Sequence, residues 1–287
     1  MPSLKEVRNR ISTVKSTQQI TKAMKMVAAA KLRRAQERIF QLRPYADRLQ
    51  AILQNITASI ADAEFNSVYA EQREIQNVLI VAITSDRGLC GAFNNNIFKA
   101  SLRLAQDKYP EQFSKGQVEF LAIGKKGFES LSKNGYQTVG DYVEIIQKLT
   151  FNQVKEAGDY LLERFKNKEV DRVELVFNEF KNVVTQIVRT NEFLPISYES
   201  PEDNQKSANT DYLMEPSKEE IIEELIPKSL ITQLFRAVLE SNASEHGARM
   251  TAMDNATENA NELLKELKLT YNQTRQAYIT KEILEIV

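Results

Sequence analysis

The feature that most constrains this 287-residue chain is a spacing. Alternating steps of three and four residues from Leu4 land on Val7, Ile11, Val14, Gln18, Thr21, Lys25, Ala28, Leu32, Ala35, Ile39, Leu42, Ala46, Leu49, Leu53, Ile56 and Ile60. Only Gln18, Thr21 and Lys25 interrupt an apolar series. A seam held over so many heptads predicts a coiled-coil helix, about 80 Å long from Ser3 to Ile56. Pro44 is expected to kink or loosen it.

A second helical pattern follows Pro216 and Ser217. Its stripe of apolar or small residues runs Ile231, Phe235, Leu239, His246, Met250, Met253, Ala256, Ala260, Leu263, Leu267, Thr274 and Ala277, drifting against a strict heptad. Ala248, Ala252, Ala256 and Ala260 permit a close approach by another helix. A lone helix of roughly 100 Å would leave this stripe wet, so it needs a mate. The N-terminal arm, paired antiparallel, is the natural one.

Between the arms the period changes. The run "NVLIVAIT" (77–84) reads as a strand, followed by a loop and the helical "NNNIFKASLRLAQDKY". "VEFLAIG" (118–124) reads as a second strand with the helical "KKGFESLSKNG" after it, and "NQVKEAGDYLLERFK" as a third helix. "RVELVFNEF" and "VVTQIVRTNEFLPIS" read as a closing hairpin joined at Lys181 and Asn182. The order implies a mostly parallel sheet with an antiparallel edge. The expected fold is a long antiparallel two-helix coiled coil with an inserted Rossmann-like α/β domain. We partition it as 1–65, 66–210 and 211–287, with the polar "SPEDNQKSANTD" (200–211) as a mobile link.

Composition excludes several chemistries. One cysteine, Cys90, permits no internal disulfide and no thiolate cluster, and a reducing compartment fits. One histidine, His246, permits no multi-histidine metal site. His246 lies in a strongly helical segment with no nucleophile elbow, so it reads as a residue packed at an interhelical seam. No stretch is apolar enough to span a membrane, and the first residues lack the apolar core of a signal peptide.

The net charge of -1 hides an asymmetry. Residues 2–48 hold twelve Lys/Arg against three Asp/Glu, and residues 197–225 hold nine Asp/Glu against two Lys. A basic arm suits nucleic acid, a solvated face or an acidic protein partner. This one lacks the aromatic interleaving of common RNA binders, so nucleic acid is not expected. The loop "TSDRGLCGAFNNN" between strand and helix lacks both the G-x-G-x-x-G spacing and the Gly-Lys-Ser/Thr ending of phosphate-binding loops. Gly88 and Gly91 then serve a tight turn, and Asp86 and Arg87 form a local pair or a protein contact. Nothing assembles an active site, a metal site or a cofactor site.

Three segments carry a family resemblance: "STQQITKAMKMVAAAKLRRAQ", "TSDRGLCGAFNNN" and "SEHGARMTAMDNATENANELLKELKLTYNQTRQAYITKEILEIV". Together, in this order and across essentially the whole chain, they resemble the gamma subunits of F-type ATP synthases. The resemblance implies a shaft turning inside a ring of alternating alpha and beta subunits, and an α/β domain meeting epsilon and the c-ring, with delta in the same complex. The chain itself would hold no nucleotide or cofactor. By that likeness Lys22, Met24, Lys25 and Met26, with Arg249, Gln276 and Thr280, face the alpha/beta sleeve. Val7, Ile11, Val14, Leu32 and Ile39 form the coil seam. The family continues a few residues past "EIV", so the resemblance implies a shorter tip in the upper bearing here. No regulatory cysteine insert or mitochondrial-type leader is seen, which favours a bacterial complex on the cytoplasmic face of the cell membrane. The competing reading is a coiled-coil scaffold whose α/β domain binds nucleotide or nucleic acid.

The basic segment Ile20 to Gln36 is apolar on two faces. Thr21, Ala28, Leu32 and Ala35 point to the coil partner, while Ile20, Ala23, Val27 and Ala30 lie roughly opposite. A helix apolar on both sides is expected to be enclosed by more than its mate.

Overall fold

The computed structural model describes residues 3–58, 68–196 and 218–286. Helix α1 (Leu4–Ala58) and helix α6 (Lys218–Ile286) run 55 and 69 residues, through Pro44 and Pro227 respectively. The expected boundaries near 65 and 210, the link at 200–211 and Val287 lie outside the described residues.

Burial along α1 follows steps of three and four. From Leu4 to Leu53 every seam residue is buried or half-buried, and of the other positions with a described side chain all but Met24, Ala29 and Ile52 are exposed. Val7, Ala28, Leu32, Ala35 and Leu49 are the most deeply buried apolar ones. Ile11, Val14 and Ile39 are half-buried.

The three polar interruptions are not gaps. Gln18 Nε2 donates to Asn261 Oδ1 at 2.5 Å, the Thr21 and Thr257 hydroxyls meet at 2.8 Å, and Lys25 Nζ reaches Asp254 Oδ1 at 2.5 Å. Each step toward the N-terminus of α1 is matched by a step toward the C-terminus of α6, so the helices are antiparallel. A polar pair at a seam contributes little stability but discriminates against slipped pairings.

The same ladder corrects the seam of α6. Steps of three and four from Leu239 through Ala243, His246, Met250, Met253, Thr257, Ala260, Leu264, Leu267, Tyr271 and Thr274 pass only through buried or half-buried residues. Leu264 is 9 % exposed, whereas Leu263, taken from sequence as a seam residue, is 43 % exposed. Ala277 is also exposed. The heptad is strict once Thr257 is admitted in place of the more apolar Ala256.

The α/β domain holds a five-stranded sheet in the order β3-β2-β1-β4-β5. Strands β1 (Val78–Ile83), β2 (Val118–Ile123), β3 (Thr138–Val139) and β4 (Arg172–Phe180) pair in parallel, and β5 (Gln186–Leu194) closes antiparallel to β4. Helices α2 (Phe93–Lys108), α3 (Pro110–Ser114), α4 (Lys125–Lys133) and α5 (Phe151–Lys166) connect them. The two-residue β3 and the five-residue α3 were not foreseen; neither is long enough to show a period.

The central strand β1 sends Val78, Ile80 and Ala82 toward Ile97 and Ala105 of α2. It sends Leu79, Val81 and Ile83 toward α5 and toward Ile226, Leu230, Leu234 and Val238 of α6. A Cβ at Gly158 of α5 would come within 3.0 Å of the Ile231 side chain, so this glycine lets the two helices cross closely. Helix α6 therefore belongs to both units, as one wall of the domain core and one strand of the coil. We expect Leu32→Asp, which sets an unpaired carboxylate on the buried seam, to lower unfolding free energy by about 3 kcal/mol or more. Ile11→Asp, at a half-buried position, costs less; chemical denaturation of the purified chain reads both.

Candidate functional site

A doubly wound sheet binds ligands beyond the carboxyl ends of its strands, at the point where strand order reverses. In this order that point lies between β1 and β4. Here α6 lies across it. Ser241 Oγ donates to the carbonyl of Ile83, the last residue of β1, at 3.2 Å, and Ser244 Oγ donates to that of Asn178 in β4 at 3.0 Å. Thr251 Oγ1 donates to Val183 O at 3.2 Å in the turn after β4. A Cβ on Gly247 would meet the Phe180 ring at 3.2 Å, so the helix lies close against the strand end. The place where a nucleotide would sit holds the chain's own helix.

The loop after β1 is locked to the same helix. Arg249 Nη2 donates to the carbonyls of Arg87 and Gly88 at 2.9 and 3.1 Å, and Nη1 binds the buried Glu245 carboxylate. Ser85 N donates to Asn94 Oδ1 at 2.9 Å, and Asn94 Nδ2 returns a bond to Ser85 Oγ at 2.8 Å. Asp86 does not pair with Arg87: its Oδ1 accepts the Lys125 N–H at 3.2 Å, tying the β1 loop to the start of α4. Gly91 adopts φ of 60°, as a tight turn requires, but the other left-handed residue is Leu89 (φ 63°) rather than Gly88. In the second glycine loop a Cβ on Gly124 would lie 2.3 Å from Thr84 O, and one on Gly127 2.6 Å from Thr84 Oγ1. Those glycines admit β1 against α4, which is packing and not phosphate binding.

Each buried carboxylate among the described residues is already engaged. Asp171 accepts the N–H groups of Gln76 and Asn77, both at 2.9 Å. Glu174 accepts Tyr109 Oη at 2.6 Å and Lys108 Nζ at 2.5 Å. Glu245 holds Arg249, although burial still raises its pKa. Burial, with the Arg249 and Lys31 charges nearby, lowers the His246 pKa to about 4. His246 is therefore neutral at pH 7 and 8 % exposed on the α6 seam. No three His, Cys, Asp or Glu side chains among the described residues group to hold a metal ion.

The residues assigned to a surrounding sleeve divide. Lys22, Met26, Gln276 and Thr280 are exposed, Met26 at 61 %, and Met24 is half-buried. Lys25 spends its charge on Asp254 of the partner helix, and the Arg249 side chain is 12 % exposed against the β1 loop. Spacing along one helix gives no view of Asp254 or of the loop carbonyls, so neither pairing was foreseen. The opposite face of α1 is bare: Ile20 is 59 % and Val27 57 % exposed. From Arg275 onward every described α6 side chain is exposed, so this helix outlasts its mate. No helix among the described residues is long and apolar enough to cross a membrane.

His246 sets a pH dependence. Its folded pKa lies below the ordinary value of 6.5, so the unfolded chain binds the proton first and stability is lost as pH falls from about 6.5 toward 4. Between pH 7 and pH 5 this histidine should cost about 2 kcal/mol. Glu245, shifted upward, opposes it, and His246→Gln isolates the histidine: unfolding free energy of the variant falls less over that interval. An equal fall in both proteins contradicts the assignment.

Comparison with known proteins agrees with this geometry. Residues 3–287 match the family model described as ATP synthase. The chain is 59 % identical to the ATP synthase gamma chain of Cytophaga hutchinsonii and 53 % identical to that of Flavobacterium johnsoniae, covering 100 % of this chain and 97 % of each relative. Among solved structures it is similar to the Tetrahymena thermophila mitochondrial ATP synthase central stalk and c-ring (25 % identity, TM-score 0.59, 83 % of this chain and 99 % of that one). In fold it also matches a chain of the Euglena gracilis mitochondrial ATP synthase OSCP, F1 and c-ring assembly (24 % identity, TM-score 0.67, 99 % and 92 % covered). A two-helix shaft with a bare outer face, on an α/β domain whose ligand crevice is filled from within, belongs to the ATP synthase gamma-chain family, the central stalk of the rotary enzyme.

Proposed function

We propose that the chain is the non-catalytic rotor shaft of its complex, turning inside a ring of alternating alpha and beta subunits. The observation that carries this reading is the bare second face of α1, on a helix whose first face is already satisfied by α6. An apolar face with no mate among the described residues calls for a partner. Small residues such as Ala23 and Ala30 on that face let a surface slide past, and Lys22 offers a cation to acidic groups. The exposed end of α6, with Gln276, Thr280 and Ile283, enters the ring's upper bearing. Met24 and Met26 join Lys22 at the beta subunits, while Lys25 and Arg249 act mainly by holding the shaft and its loop in shape.

Work is delivered by differential contact. A shaft that presents unlike faces to three beta sites biases their conformations in succession without forming a bond itself. Two helices of different sequence supply such faces. The α/β domain meets epsilon and the c-ring, with delta elsewhere in the complex, at the cytoplasmic face of a bacterial inner membrane.

A reconstituted complex tests this. Gln276→Ala removes an exposed side chain, so the isolated chain keeps its thermal midpoint. The rate of ATP-driven proton pumping should fall on the order of fivefold, the scale of one hydrogen bond of about 1 kcal/mol. Unchanged pumping removes that residue from the bearing. The scaffold reading is separated by titrating the full chain with ATP and with duplex DNA: neither binds at micromolar concentration if the rotor reading holds, and either doing so overturns it.

A further inference from the structure

Where α6 leaves the sheet and enters the coil, its hydroxyl groups change partners. Elsewhere along the helix Thr232, Thr270, Thr274 and Thr280 donate to the carbonyl four residues back, the common local choice of a helical hydroxyl. Ser241 and Ser244 instead reach out of the helix, to the carbonyls of Ile83 in β1 and Asn178 in β4. Thr251 divides its bond between Gly247 O of its own helix and Val183 O of the turn after β4. Both serines are buried, Ser241 at 2 % exposure and Ser244 at 0 %.

The contacts of this stretch ring the helix axis. The seam positions Ala243, His246 and Met250 share one side, with Ala243 packed against Leu32 and Ala35 of α1. Roughly 120° round the helix, Ser244, Gly247 and Thr251 face β4 and the turn that follows it. Ser241 comes next, toward the end of β1, and Arg249 closes the circuit on the loop after β1. At this level α6 stands in a socket whose domain side is built from main-chain carbonyls.

Further down, the domain holds α6 through apolar side chains, Ile226, Leu230, Leu234 and Val238. Apolar contact has no direction, so it resists separation more than a small rotation. A hydroxyl–carbonyl bond weakens steeply when misaligned, and a buried carbonyl that loses its donor is left unpaired. A slight roll of α6 therefore keeps most apolar area covered but misaligns all three bonds together. We propose that Ser241, Ser244 and Thr251 are positioning residues for the rotary coupling, fixing the angle of the shaft in the domain so that torque is transmitted without play. This rests on the rotor reading. The continuous helix carries the torque, and the three hydroxyls set its angular stiffness.

The test measures that stiffness in the assembled complex. The alpha/beta ring is fixed to a surface and a marker is attached to the domain through Lys133→Cys, an exposed position on α4. The angular spread of the marker is recorded while the rotor pauses between steps at low ATP. Ser241→Ala combined with Ser244→Ala should widen the angular variance on the order of twofold, because two of the three bonds are gone. Thr251→Val should also widen it, whereas Thr251→Ser keeps the hydroxyl and the parent variance. Phe120→Leu, a core change on the far face of the sheet from α6, lowers the thermal midpoint and leaves the variance unchanged. Parent variance in the double serine variant overturns the inference, and so does equal widening by Phe120→Leu. If the double variant does not assemble, Thr251→Val decides against Thr251→Ser, and equal spread in those two overturns the inference. A parent complex that assembles without turning removes the rotor reading as well, which separates the two failures.

Discussion

Everything in this molecule depends on the burial of one stripe of α1 against α6. Neither helix could persist alone at such length in water, because a long helix gains most of its stability from a covered face. The seam supplies that cover from Leu4 to Leu53, and α6 contributes a second time as a wall of the α/β core. The domain and the coil therefore cannot be turned against each other without breaking α6. For a shaft this matters more than stability: torque applied to the domain passes into the coil through a continuous helix.

The same helix explains why a fold built like a nucleotide-binding domain binds none here on our reading. Sheet order places the usual crevice between β1 and β4, and Ser241 and Ser244 bond to the strand carbonyls there. Glycines that resemble a phosphate loop instead admit close packing around Thr84. The domain has kept a ligand-binding architecture as a mount for the shaft.

Much of this was legible in the residues. The α1 seam is a strict 3–4 repeat of apolar residues broken only at Gln18, Thr21 and Lys25, and the strands of the hairpin are rich in β-branched and aromatic residues, so pattern alone places both. The phase of α6 was not legible, because its seam passes through Thr257 while the neighbouring Ala256 is the more apolar, and steps of four and three from Ala256 lead through Ala260 to Leu263 rather than Leu264. What fixes the phase is the match of Thr257, Asn261 and Asp254 to Thr21, Gln18 and Lys25, a property of two helices together. The inward turn of Arg249 was hidden for a related reason: its acceptors are main-chain carbonyls, which carry no sequence signal. Residues that serve the shaft's own geometry and residues that face outside thus share one motif, and only the fold separates them.

The central claim is that the paired helices work as a single rod, their register unchanged through the cycle. Thr21→Cys with Thr257→Cys tests it most directly, since the two native hydroxyls lie 2.8 Å apart on opposite helices. In the assembled complex, ATP-driven proton pumping is measured before and after oxidation to the disulfide. The account predicts that pumping survives the cross-link. Loss of pumping on oxidation, restored by reduction, would contradict it, because the two helices would then have to move past each other as the shaft works.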